Sequence, residues 1–188
     1  MKLRSFIKCF LIYLLLSINL AAAQSNGCSQ LKVSGAVGWF PLLMKGYYDN
    51  GYRGVGYDLA VEVARELKIP LVFKALPWKR VLQQLELGRL DIILGIYKTK
   101  PRSIKYLYSP ALINNEVKVF VLKEKTFELN SYEDLIGKRG DIPNGGSFGD
   151  AFDEFANQHL QLSQMRGKKE KIKRLLHGAS DYFVSDYF

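Results

Sequence analysis

Gly56-Tyr-Asp-Leu-Ala-Val-Glu-Val-Ala-Arg-Glu-Leu67, continued by Leu71-Val-Phe-Lys-Ala75, Trp78–Gly88 and Asp91-Ile-Ile-Leu-Gly-Ile96, is the stretch that decides the fold. From Tyr57 to Leu67 the apolar residues Leu59, Ala60, Val63, Ala64 and Leu67 recur at helical spacing and share one face. Pro70 ends that helix, and Leu71–Ala75 reads as a buried strand. Pro77 suits a first helical turn, where its missing N–H costs nothing. Trp78, Val81, Leu82 and Leu85 then form an i, i+3, i+4, i+7 stripe that Gly88 closes. Asp91–Ile96 is nearly continuous in apolar character, as in a strand covered on both faces. With Leu31-Lys-Val-Ser34 upstream as a first strand, this strand–helix alternation predicts an α/β fold with a parallel sheet.

Outward from this core, Gly35–Pro41 reads as a Gly-rich loop and Gly46–Gly56 as a hairpin or loop. Val117–Leu122 is a further strand, after which the pattern restarts. Ser131 with Asp134 has capping-box spacing, Arg139–Ile142 is a weak strand, and Gly145-Gly-Ser-Phe-Gly149 leads into a helix with Phe148, Phe152 and Phe155 on one face. Lys168–Leu176 reads as a basic helix whose apolar side is Ile172, Leu175 and Leu176. Tyr182–Val184 is a last strand, where the sequence stops. A second sheet ending there would leave an apolar strand edge exposed, so C-terminal truncation is expected.

The N-terminus has the form of a secretory leader. Lys2, Arg4 and Lys8 precede the apolar run Cys9–Leu20, and Ala21–Ala23 offer a small-residue cleavage site. The run is too short for a span of about 20 residues. The expectation is cleavage near Ala23, a periplasmic location and a mature chain that does not span the membrane. Loss of the leader's three basic residues lowers the formal net charge from +9 to +6. The one dense basic run, Arg166–Arg174, reads as a solvated helix face, so nucleic acid is not an expected partner. Cys28 is left without a second cysteine, either as a buried thiol or with its partner outside this sequence. One thiol with His159 and His177 supports no metal site and no Cys–His catalytic pair, so neither metal nor cofactor is expected.

The ordered motifs resemble the family 3 extracellular solute-binding proteins, the periplasmic receptors of polar amino-acid uptake. The likeness rests on Gly56–Leu67, on Trp78 with Leu85–Asp91, on Thr99-Lys-Pro-Arg102 and Ser109-Pro110, and on Glu133–Arg139 and Gly178–Asp181. Ala60 departs from it, standing where the family usually has an acid. The resemblance implies a type II periplasmic-binding-protein-like α/β fold of two lobes on a hinge, with the second lobe incomplete. Residues 24–117 would form the first segment of lobe 1, and 118–188 the hinge crossing and part of lobe 2. The return segment to lobe 1 would be missing. It further implies a monomer that captures an amino acid or related carboxylate between the lobes, without covalent chemistry, for an inner-membrane ABC permease or for sensing.

The same resemblance supplies the candidate site. Arg102 falls where the family grips the ligand carboxylate, a task suited to a planar guanidinium fork, with Thr99 three residues before it. Asp186 falls where an acid meets the ligand ammonium, or is an ordinary terminal acid; Asp181 reads as structural. Trp39 and Trp78 fall where large side chains face the ligand, although Trp78 also fits a helix core. Gly146 and Ser147, beside Gly145 and ahead of a helix, could offer backbone N–H groups to an anion. Tyr97 stands where many relatives have a small hydroxyl residue, which would shrink the pocket. Relatives on this fold include a periplasmic dehydratase of prephenate-like acids. For that chemistry Tyr97 or Lys98 are the available proton donors, and no clear acid–base pair accompanies them. A non-functional fragment is the remaining reading.

Overall fold

The protein is described here by a computed structural model covering residues 28–46 and 51–186. The expected leader, residues 1–23, and its cleavage point lie outside the described residues. From Leu31 onward the chain forms one compact unit. Cys28, just before it, is exposed, with its thiol donating to the Gln30 carbonyl at 3.4 Å, so the buried-thiol alternative does not hold.

Two sheets organise the molecule. The first has strand β1 (Leu31–Gly35) at its centre, with β4 (Leu71–Phe73) and β5 (Ile92–Leu94) on either side, all parallel. Helix α1 (Val55–Glu66) joins the hairpin β2 (Met44–Lys45)–β3 (Tyr52–Arg53) to β4, and α2 (Trp78–Glu86) joins β4 to β5. Leu31, Val33, Leu43, Ala60, Ala64 and Leu94 form the core of this lobe.

The predicted elements occur, with three differences. α1 starts at Val55, two residues early, because Gly54 (φ 119°) turns the chain at its N-terminus. A Cβ there would meet the Pro41 and Leu42 carbonyl oxygens at 2.6 Å. Burial on α1 is carried by Ala60 and Ala64, whose small side chains let the helix lie close to the sheet, and Leu59 and Leu67 are exposed. β4 and β5 are three-residue edge strands, so Leu71–Phe73, Ile92 and Ile93 are only half-buried: β4 is not the buried strand expected, and β5 is not covered on both faces.

α3 (Lys100–Lys105) follows β5, and an extended segment then runs to β6 (Val117–Phe120). The second sheet has the order β6-β9-β7-β8, with β7 (Arg139–Pro143), β8 (Gln161–Met165) and β9 (Tyr182–Asp186). β7 is parallel to both β8 and β9, and β6 is antiparallel to β9. Helices α4 (Asp150–His159) and α5 (Lys168–Leu176) connect these strands. Leu135, Phe152, Ala156, Tyr182 and Val184 form the second core. Ser131 and Asp134 make the expected capping box ahead of the turn Tyr132–Leu135.

Two expectations for this lobe are corrected. β9 is not an exposed last edge: it is inserted between β6 and β7, with Tyr182, Phe183 and Val184 buried. Nor is Arg166–Arg174 merely a solvated face. On α5 the buried residues are Lys171 and Leu175, one turn apart, and Ile172 and Leu176 are exposed. Arg174 pairs through Nε with both oxygens of the fully buried Asp141, at 3.1 and 3.0 Å. Asp181 is structural, as expected: Arg139 binds it through its guanidinium and its backbone N–H.

Candidate functional site

The loops at the ends of β1, β5, β7 and β9 face one another and enclose a cavity of about 190 Å³. This is smaller than the roughly 300–1,000 Å³ of drug-sized sites, so it suits a small solute. Arg102, Trp39, Trp78 and Tyr97 line it from the first lobe, and Gly146, Ser147 and Asp186 from the second.

Arg102 enters on the short helix α3, whose start is fixed by Thr99. Thr99 is buried and its hydroxyl accepts from the Arg102 backbone N–H at 3.4 Å, so its role is to position Arg102; it is not among the lining residues. The Arg102 guanidinium donates to the Tyr97 carbonyl at 3.1 Å and, across the cleft, to the Gly145 carbonyl at 3.3 Å. Trp78 Nε1 donates to the same Gly145 oxygen at 3.0 Å, so Trp78 is a half-buried bridge to the second lobe and not a core residue. Carbonyl acceptors leave the guanidinium charge uncompensated, as a carboxylate-binding arginine requires.

Asp186, at the end of β9, is held on one oxygen. Tyr97 donates its phenol hydrogen to Oδ1 at 2.5 Å, and Asn115 Nδ2 donates to the same oxygen at 2.7 Å. Asn115 also donates to the Tyr97 hydroxyl at 2.8 Å, which closes the triangle. Burial, and then the Asp186 carboxylate, push the Tyr97 phenol well above its ordinary pKa, so it remains a donor. Trp39 lies 5.6 Å and Phe148 6.2 Å from Tyr97 between ring centroids, so the cavity has aromatic walls. Trp39 Nε1 is buried with no acceptor among the described residues.

The Gly145–Gly149 turn differs from expectation. The Gly146 N–H bonds the Pro143 carbonyl at 2.8 Å, the Phe148 N–H bonds Asp153 at 3.0 Å, and Ser147 Oγ also donates to Asp153. Asp153 in the first turn of α4 thus takes two of the turn's donors, the Phe148 N–H and the Ser147 hydroxyl. Lys98, the alternative proton donor, is exposed and lies 5.9 Å over the Tyr108 ring, outside the lining of this cavity.

Sequence reading missed two residues here. Asn115 lies in an extended segment without periodicity. Lys171 lines the cavity from α5, and its only signal was its place one turn before Leu175. Among the described residues no group of three or more His, Cys, Asp or Glu side chains could hold a metal ion, and no helix is long and apolar enough to cross a membrane.

The profile of the bacterial extracellular solute-binding proteins, family 3, matches residues 31–181. The chain belongs to this family. No curated protein matches it in sequence. Among solved structures it is similar to holo ArgBP from T. maritima, with a TM-score of 0.72, 22% identity, and 84% of this chain and 69% of that one covered. It is likewise similar to AbpA, an amino acid ABC transporter substrate-binding protein from Streptococcus pneumoniae bound to L-arginine. There the TM-score is 0.72 at 23% identity, covering 88% of this chain and 70% of that one. A third is an ancestral amino acid-binding protein described as a precursor of cyclohexadienyl dehydratase, with a TM-score of 0.69, 22% identity and coverage of 85% and 71%. These identities carry the fold: a type II periplasmic-binding-protein-like architecture. In the family 3 chain described here, the cavity lies between two α/β lobes.

Proposed function

We propose that this protein captures a small polar solute, an amino acid or a related carboxylate, between its lobes in the periplasm, as a monomer and without covalent chemistry. The single observation that carries the reading is Arg102. Its guanidinium lines a cavity with aromatic walls, and among the described residues its bonds go to carbonyl oxygens. A ligand carboxylate can replace the Gly145 carbonyl and make two parallel, charge-assisted bonds. Trp39 Nε1–H is a further donor without an acceptor. The secretory leader and the family support export, and delivery to an ABC-type permease or a sensing role follows from that setting.

Calorimetric titration against polar amino acids and small carboxylates tests this reading. Saturable one-to-one binding of at least one of them is expected, with roughly 100-fold weaker binding in Arg102→Met, since losing one partner of a desolvated charge pair costs about 2–5 kcal/mol. Heat with none of them, or binding unaffected by Arg102→Met, would overturn it. Turnover of prephenate would instead point to a dehydratase.

A further inference from the structure

Lys171 is a charged group that the reading above leaves unused. It is 2% exposed, its ammonium donates to the Val184 carbonyl at 2.9 Å, and it lies 5.1 Å over the Phe183 ring. A buried ammonium is costly unless it is paired. A carbonyl and a ring face reduce that cost, but they do not cancel the charge, and the carbonyl takes one of three N–H donors.

Lys171 lines the same cavity as Arg102. Among the described residues that line the cavity, the charged ones are Arg102, Lys168, Lys171 and Asp186. Asp186 is itself held by Tyr97 and Asn115, and Lys171 bonds the Val184 carbonyl two residues before it on β9. Lys171 is therefore the chain's own ammonium in the neighbourhood of Asp186. A ligand ammonium entering there would meet a like charge. A ligand with two carboxylates would offer one anion to Arg102 and one to Lys171 in a site from which water is displaced.

We propose that the cavity takes a small dicarboxylate without an ammonium group, one carboxylate on Arg102 and the other on Lys171. This narrowing rests on the solute-capture reading. The aromatic walls of Trp39, Tyr97 and Phe148 then face the carbon skeleton between the two carboxylates, and Trp39 Nε1–H serves a carboxylate oxygen.

Calorimetry at pH 7 with succinate and glutarate against aspartate and glutamate isolates the ammonium, because each amino acid adds only that group. The better of the two dicarboxylates is expected to bind at least about tenfold tighter than either amino acid. Lys171→Met, which keeps the buried stem, should weaken it by roughly 10–100-fold, and Lys171→Arg should restore most of the loss. Aspartate or glutamate binding as tightly as the dicarboxylates would overturn the proposal and leave solute capture standing. So would tight binding of another amino acid with silence from the dicarboxylates, or a Lys171→Met protein of unchanged affinity. If no acid and no amino acid binds, both readings fall. Should Lys171→Met not fold, the wild-type ratio of dicarboxylate to amino acid decides alone.

Discussion

Tyr97 of the first lobe and Asp186 of the second are joined across the cleft by a 2.5 Å hydrogen bond from phenol to carboxylate. That bond links the lobes and occupies an oxygen of the acid that a ligand ammonium would need. Tyr97→Phe should therefore make Asp186 more available. Bonds to charged groups contribute about 1.5–3 kcal/mol, so the affinity for aspartate relative to succinate should rise by roughly 10–150-fold. An unchanged ratio by calorimetry would mean that the bond does not govern ligand choice.

Lys171 gives the site a pH dependence. Burial pulls its pKa down from 10.5 to about 8, opposed by Asp186 on β9 and Asp141 on β7 and reinforced by Lys168 on its own helix. The adjoining β8 offers no charged side chain. The unfolded chain binds this proton more tightly than the folded one between about pH 8 and 10.5. This group's contribution to stability therefore rises with pH across that window. Dicarboxylate affinity should do the opposite and fall as pH rises through about 8, because the neutral amine no longer attracts an anion. Titrations at pH 6.5 and 9.5 check this. Lys171→Arg, always charged, should show a flatter profile.

Asp181 works in the acid range. The Arg139 side chain, and then its backbone N–H, hold the Asp181 carboxyl at about 2, below its ordinary 3.8. Its contribution is present above pH 4 and is lost as pH falls through about 2. Asp181→Asn should lower the melting temperature at pH 7 and narrow the gap to wild type at pH 2.

Much of this architecture is legible in the sequence, for identifiable reasons. α1 and α2 are long enough for their apolar period to stand out, and Gly88 marks the end of α2 with φ 65°. β8 is not legible, because Gln161-Leu-Ser-Gln-Met165 at a sheet edge needs no apolar alternation. Arg102, Trp39 and Asp186 are legible through the family's motif order and line the cavity, whereas the bonds of the Gly146–Phe148 turn to Pro143 and Asp153 are not, because Asp153 lies six residues beyond Ser147. Lys171 escaped because lysines are seldom fully buried, and only the folded chain brings the Val184 carbonyl to it.

Gly95 tests the packing behind the site. It has φ 76°, and a Cβ there would meet Leu42 Cδ2 at 1.9 Å and the Trp39 ring at 2.9 Å. Gly95→Ala should destabilise the protein by about 2 kcal/mol or more, read as a lowered denaturant midpoint. It should also disturb Trp39 in the cavity wall. A variant with wild-type stability would contradict this packing.

The most direct measurement is a crystal structure of the protein grown with saturating succinate or glutarate. The expected result is one carboxylate about 2.7–2.9 Å from the Arg102 guanidinium in place of the Gly145 carbonyl, the other near the Lys171 ammonium, and the carbon chain against Trp39 and Tyr97. A dicarboxylate bound elsewhere, or Arg102 still bonded to Gly145 with the cavity containing only water, would contradict it.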